Sequence, residues 1–190
     1  MKLLFTLDEK DYTEDMPLVE RYGVRAIIKQ NGKYAMQKSS LGEYKIPGGG
    51  VEDGESYEQA LLREVREETG MLVKAETIKE IGEVLEIKED KKNRGHKYVA
   101  HSLYYECEVQ SEMVSPEMTE HELSKGYQLE WVELQHIIAE NMKRQNENWA
   151  VRDTEFLKRI YLLGDTIKVT VDRPMESENL RTDEIPRTIF

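Results

Sequence analysis

Residues 47–71 read PGGGVEDGESYEQALLREVREETGM, and this stretch decides how the rest of the chain is to be read. Three consecutive glycines, Gly48 to Gly50, permit positive φ angles and close backbone approach. Ser56 with Gln59 three residues on is a capping box, and Gly70 stands where helices commonly stop, so the spacing predicts a helix over 56–69. With Glu64 set at zero on the helical wheel, Glu67 falls at roughly −60° and Glu68 at roughly +40°. Leu61, Leu62 and Val65 fall between about +60° and +160° on the same count. The helix therefore buries one stripe and turns three carboxylates toward a neighbouring cleft.

That acidic edge works against the helix. Like charges three and four residues apart cost roughly 0.2–0.5 kcal/mol per pair. Glu67 and Glu68 also lie near the C-terminal end, where the helix dipole disfavours anions. A divalent cation reverses both penalties, and hard oxygen donors suit Mg²⁺, with Mn²⁺ able to substitute. Taken by themselves the three glutamates read first as a solvated acidic face; the fixed spacings of the residues around them change that reading.

Outward from this stretch, residues 21–29 and 33–37 read as strands joined by an Asn31-Gly32 hairpin turn. Further strands are expected at 78–86, 98–109 and 128–132, with the charged segment 88–97 as a hairpin loop. Helices are expected at 134–144 and 152–162, a last strand at 167–171, and a polar tail beyond it. Strands and helices mix without regular alternation, so the fold class expected is α+β with a mixed sheet.

Gly49, Glu55, Arg63, Glu64, Val65, Glu67, Glu68, Gly70 and Met71 stand at the spacings Gly, five residues, Glu, seven residues, Arg-Glu-aliphatic-any-Glu-Glu-any-Gly-aliphatic. In this the chain resembles the Nudix hydrolases (the MutT-like domains). The likeness implies an α/β/α sandwich around a mixed sheet over 18–165, with an N-terminal extension at 1–17 and a C-terminal strand and tail at 166–190. It also implies metal-dependent cleavage of a nucleoside diphosphate derivative. By the same likeness Glu64, Glu67 and Glu68 are the metal-binding carboxylates and Gly49 lends backbone near the metal. Arg63 orients the acidic group, with Glu55 and Gly70 in support.

The family often has tryptophan three residues before the Pro-Gly-Gly proline; here Tyr44 replaces it. Tyr44 and Lys38 are expected to contact substrate, and Tyr44, Trp131 and Trp149 are the aromatics available to stack on a base. Several relatives draw a catalytic base from a downstream loop. Glu117, Glu120 and Glu122 lie in such a segment, 115–127, and Glu120 is the expected base. His96, His101, His121 and His136 show no metal spacing. Lys91, Lys92, Arg94 and Lys97 read as a solvated hairpin tip.

A chain of 190 residues fits one domain. Its net charge of −11 opposes a nucleic-acid polymer as partner but not a small phosphate ester, since a cation inverts the local charge. No apolar run reaches membrane length, and Met1 to Phe5 is too short for a secretory signal, so a cytoplasmic protein with no membrane partner is expected. The single cysteine, Cys107, reads as a buried small side chain. A homodimer is compatible with the likeness but no residue marks an interface. The alternative reading is a sensor module that binds nucleotide without turnover; such modules usually lose part of the acidic set, and here the set is complete.

Overall fold

A computed structural model of the chain describes residues 1–144 and 148–162. In chain order the strands of the first half are β1 (Leu3–Asp8), β2 (Leu18–Ile27), β3 (Lys29–Gln30), β4 (Lys33–Lys38) and β5 (Tyr44–Lys45). Helix α1 (Tyr57–Thr69) follows, then β6 (Met71–Val73), β7 (Lys79–Glu89), β8 (Lys97–Glu106) and β9 (Val109–Met113). The chain continues through α2 (Glu120–Lys125), β10 (Gln128–Val132), α3 (Leu134–Met142) and α4 (Asn148–Leu157), which runs on into a π-helical turn over Lys158–Leu162.

The principal sheet has the order β1-β7-β8-β2 and is mixed: β1 lies parallel to β7, β7 antiparallel to β8, and β8 parallel to β2. A second sheet orders β10-β4-β3 with β5 on β4. The β3–β4 hairpin turns at Asn31 and Gly32, both with positive φ (51° and 76°), as a tight hairpin of this twist requires.

Side-chain alternation along the strands separates two core layers. Val24, Ala26, Leu103 and Tyr105 pack on one side with Ala60, Leu61 and Val65 of α1. Ile27, Tyr34, Met36 and Tyr104 pack on the other with Ile137 and Ile138 of α3 and Phe156 and Leu157 of α4. Helices thus cover both faces, the α/β/α arrangement expected. Helix α1 begins and ends as read: Ser56 and Gln59 exchange hydrogen bonds (3.1 and 2.9 Å), and Gly70 closes it in the left-handed conformation, φ 74°.

Several expectations needed revision. The N-terminal extension carries β1, which pairs with β7 and is part of the principal sheet. The strand expected over 98–109 is broken after Glu106; β9 turns away to pair with β6, and Cys107 is buried at the break. The short β5 and β6 and the helix α2 are too brief to leave a periodic signal, although Thr119 and Glu122 do form a capping box. The expected strand at 167–171 and the tail lie outside the described residues. Among the described residues no helix is long and apolar enough to cross a membrane.

Two side chains of the α3–α4 layer pin the segment that leads into the glycine loop. Asn141, fully buried, accepts from Tyr44 N–H (2.8 Å) and donates to Tyr44 C=O (2.9 Å). Asp153, also fully buried, accepts from Ile46 N–H at 3.1 Å and from the Tyr104 hydroxyl at 3.1 Å. Asn141→Ala leaves both Tyr44 backbone groups unpartnered, and the expected loss is about 2–4 kcal/mol in urea unfolding, since each orphaned buried group costs about 1–3 kcal/mol. A loss under about 0.5 kcal/mol, the range of ordinary surface substitutions, would show that this pin is dispensable.

Candidate active site

The acidic edge of α1 faces the loop Gly48–Gly50, and loop and helix shape each other. Gly48 has φ 136°, and a Cβ there would stand 2.1 Å from Val24 O, so only glycine passes this close to β2. A Cβ on Gly49 would stand 2.3 Å from Glu64 Oε2, so the missing side chain of Gly49 is the space the Glu64 carboxylate fills.

Arg63 organises the acidic group. Its Nε and Nη2 each donate to Glu55 at 2.9 Å, a bidentate pair. Nη1 donates to Glu64 at 2.8 Å and to Glu67 at 3.1 Å, and Nη2 also reaches Gly50 O at 2.9 Å. One guanidinium fork thereby fixes three carboxylates and the glycine loop. Arg63 holds Glu55 below the usual carboxylate range.

Glu68 sits deeper, with 1% of its side chain exposed. It accepts from Lys45 Nζ at 2.5 Å and from Gly48 N–H at 2.7 Å. The Gln37 amide, oriented with nitrogen toward Glu68, donates to its two oxygens at 2.9 and 3.2 Å. Burial outweighs these donors and pushes the Glu68 carboxyl up to about 7. Glu64 is raised as well, chiefly by burial. Glu67 is a third exposed and, unlike Glu64 and Glu68, is not among the residues lining the cleft.

Glu64 and Glu68 open onto a cleft of about 520 Å³. Its floor is the face of the principal sheet that carries Arg21, Gly23 and Arg25 of β2 and Glu86 and Lys88 of β7. Lys45, Glu122, Trp149 and Arg152 complete the rim. A second hollow of about 410 Å³ adjoins it and shares Lys45, Glu122 and Trp149.

Expected residues outside the motif fare less well. Tyr44 is not a substrate contact: it is 1% exposed, in the core, because alternation on β5 turns it away from the cleft that Lys45 enters. Lys38 is paired with Glu130 at 3.0 Å above the Tyr44 ring and does not line the cleft. Glu120 is exposed at the start of α2 and lines neither hollow, because the helix turns it outward. Glu117 is taken by Arg66 at 2.5 Å. Glu122 is the downstream acid that reaches the cleft. Burial opposes its ionisation, but the Thr119 N–H and hydroxyl together with Lys45 hold it below the usual range. Trp149 borders the cleft, while Trp131 packs in the core. Burial pushes the Cys107 thiol up to about 12, which excludes it as a nucleophile at neutral pH.

The cleft residues that sequence reading missed are Arg21, Arg25, Lys45, Lys88 and Arg152. A signal existed for the first pair, since Arg21-x-Gly23-x-Arg25 puts both arginines on one face of a strand. Arg152 arrives from α4, and nothing local announces it.

The donors fit a hard divalent cation in kind: oxygens only, from Glu64, Glu67 and Glu68 beside backbone at Gly49. Among the described residues no three His, Cys, Asp or Glu side chains already converge as a ligand set. The positive charge between these carboxylates comes from Arg63 and Lys45.

A family model described as NUDIX domain matches residues 19–158. A 66-residue segment is 38% identical to a nucleoside triphosphatase, NudI, of an Enterobacter species, covering 32% of this chain and 47% of that protein. A 59-residue segment is 37% identical to an ADP-ribose pyrophosphatase of Methanocaldococcus jannaschii, covering 29% of this chain and 35% of that protein. The chain thus spans half or less of the curated relatives it matches. Among solved structures it is similar to an ADP compounds hydrolase, with TM-score 0.51 and 16% identity over 76% of this chain and 74% of that one. It is also similar to a NUDIX hydrolase from Nitrosomonas europaea, with TM-score 0.48 and 21% identity over 80% of this chain and 89% of that one.

The Glu68 carboxyl sets a pH dependence. Between its ordinary value of 4.5 and about 7 the folded protein keeps a proton that the unfolded chain has released. Stability from this group is therefore lost as pH rises through that window and is flat above it. In EDTA, the stability of the native protein relative to Glu68→Gln is expected to fall from pH 4.5 to about pH 7. A pH-independent difference in urea midpoints would contradict this.

Proposed function

Since the chain belongs to the NUDIX domain family, we propose that it is a Mg²⁺-dependent pyrophosphohydrolase acting on a nucleoside diphosphate derivative. One observation carries the reading: Glu64 and Glu68, side by side on α1, border the same cleft as the glycine loop and a cationic sheet face. Acid on one wall and base on the other is the arrangement that a cation and a phosphate chain fill together.

Glu64, Glu67 and Glu68, with Gly49 backbone, are the residues that would hold the ion. When bound, Mg²⁺, or Mn²⁺ in its place, supplies charge neutralisation at a phosphoryl oxygen and acidifies water. The remaining work belongs to the protein. Arg63 keeps Glu64 and Glu67 at fixed rotamers through its fork to Glu55. Lys45 and Gly48 N–H hold Glu68 at the cleft wall. Glu122, rather than Glu120, is the acceptor for the proton of the attacking water, because it is the ionised downstream carboxylate on the cleft. Trp149 offers an aromatic face to the nucleoside end. Phosphoryl transfer of this kind needs positioning and charge and no covalent nucleophile.

The decisive experiment is a panel of nucleoside triphosphates, ADP-ribose, sugar nucleotides and dinucleotide polyphosphates with Mg²⁺, reading phosphate or pyrophosphate release. Turnover is expected with at least one compound, and Glu68→Gln is expected to lower kcat by about 100-fold or more, the scale of removing one preorganised electrostatic group. Glu122→Gln should lower kcat by about 10²-fold, within the range of general base catalysis, and Glu120→Gln should leave it unchanged. Nucleotide-induced thermal stabilisation without product would instead identify a binding module.

A further inference from the structure

The protein carries a net charge of −11, so acids outnumber bases and basic side chains readily find partners. Among the described arginines, Arg63, Arg66, Arg94, Arg144, Arg152 and Arg159 each have a carboxylate within 4.0 Å. Arg21 and Arg25 form no ion pair among the described residues, and these two line the active cleft.

Their placement is specific. They lie four residues apart on one face of β2, either side of Gly23. A Cβ on Gly23 would stand 2.9 Å from Gly49 O, so the bare glycine lets the strand come up against the loop, to which it is bridged at Gly50. The two side chains then flank that loop. Arg25 Nη1 donates to Val24 O at 2.7 Å and to Gly49 O at 3.3 Å, while its buried Nε has no acceptor. Arg21 extends past Gly50, its Nη2 3.0 Å from where a Gly50 Cβ would be. Arg25 is partly buried beside a second arginine, Arg152; burial and that neighbour outweigh the more distant pull of Asp153, Tyr104 and Glu68 and work against its charge. The nearby acids Glu86 and Asp153 are already paired with Arg152, at 3.0 and 2.9 Å. A partly desolvated guanidinium with no direct ion pair keeps donors to spare, and an anionic ligand can take them.

We infer that Arg21 and Arg25 are the substrate's anion receptors, taking phosphate oxygens of a diphosphate or longer chain across the glycine loop from Glu64. Resting on the hydrolase reading above, this assigns the two walls of the cleft different tasks. The α1 wall handles the charge that develops at the reacting phosphorus. The β2 wall binds the phosphate chain in the ground state, so its loss appears mainly in KM. It also sets a substrate requirement: a compound with a single phosphate leaves one arginine unpaired and binds weakly.

The test has a binding arm and a kinetic arm on the full chain. Inorganic pyrophosphate is titrated in EDTA, with affinity read by calorimetry and by the thermal midpoint, for native protein, Arg21→Ala, Arg25→Lys and the surface control Lys79→Ala. KM and kcat are then measured with Mg²⁺ on the best substrate of the panel. Pyrophosphate is expected to bind native protein and Lys79→Ala alike, about 10-fold more weakly to either arginine variant, with orthophosphate weaker than pyrophosphate; a charged hydrogen bond is of that order. KM is expected to rise about 10-fold in Arg21→Ala with kcat changed less than about 3-fold. Arg21 is exposed, so its variant is free of the folding cost that Arg25 substitution risks. The inference falls if native protein does not bind pyrophosphate, or if both variants match it within twofold in affinity and KM. Those results would leave Mg²⁺-dependent turnover standing, whereas absence of turnover with intact arginine-dependent pyrophosphate binding would overturn the hydrolase reading instead.

Discussion

The Glu68 carboxylate is buried at the junction of nearly every element that forms the site. Lys45 from β5, Gly48 from the loop and Gln37 from β4 all point their donors at it, and α1 carries it in. Burying a carboxylate is expensive, and the expense is what draws three separate segments together. The donors do not fully offset the burial, so the carboxyl stays above its usual range. A cation bound near that position would complete what the protein's own groups leave incomplete, and would couple the stability of the site to the chemistry proposed for it.

A second constraint acts one turn earlier. Arg63 has its donors divided among Glu55, Glu64, Glu67 and Gly50 O. This offsets the repulsion between Glu64 and Glu67 that the wheel of α1 implies, and leaves Glu68 to its other donors. The same fork ties helix to glycine loop, and the loop in turn is held against β2 by Val24 N–H to Gly49 O at 2.9 Å and Ala26 N–H to Pro47 O at 2.8 Å. Rotamers of the carboxylates, path of the loop and position of β2 are therefore one coupled unit. A substitution in any of them is felt in the other two.

Charge is distributed unevenly over the molecule. The chain is acidic as a whole, but its cleft gathers Arg21, Arg25, Lys45, Lys88 and Arg152 around Glu64, Glu68, Glu86 and Glu122. An acidic exterior turns away polyanions at long range, and the cationic patch takes effect for a ligand small enough to enter.

Local patterns settled whatever depends on neighbours in sequence. The capping box at Ser56, the stop at Gly70 and the Asn31-Gly32 hairpin were all readable, because periodicity and turn chemistry act over a few residues. The motif alone was enough to point to the NUDIX domain. Sequence could not say which of Glu117, Glu120 and Glu122 enters the cleft, since that depends on how a six-residue helix is rotated against a distant loop. Nor could it say that Tyr44 is core while its neighbour Lys45 meets Glu68, or that Arg152 reaches from α4 to the rim of the site. Those facts are products of packing between segments up to a hundred residues apart, where the burial of one side chain is decided by elements that no local window contains.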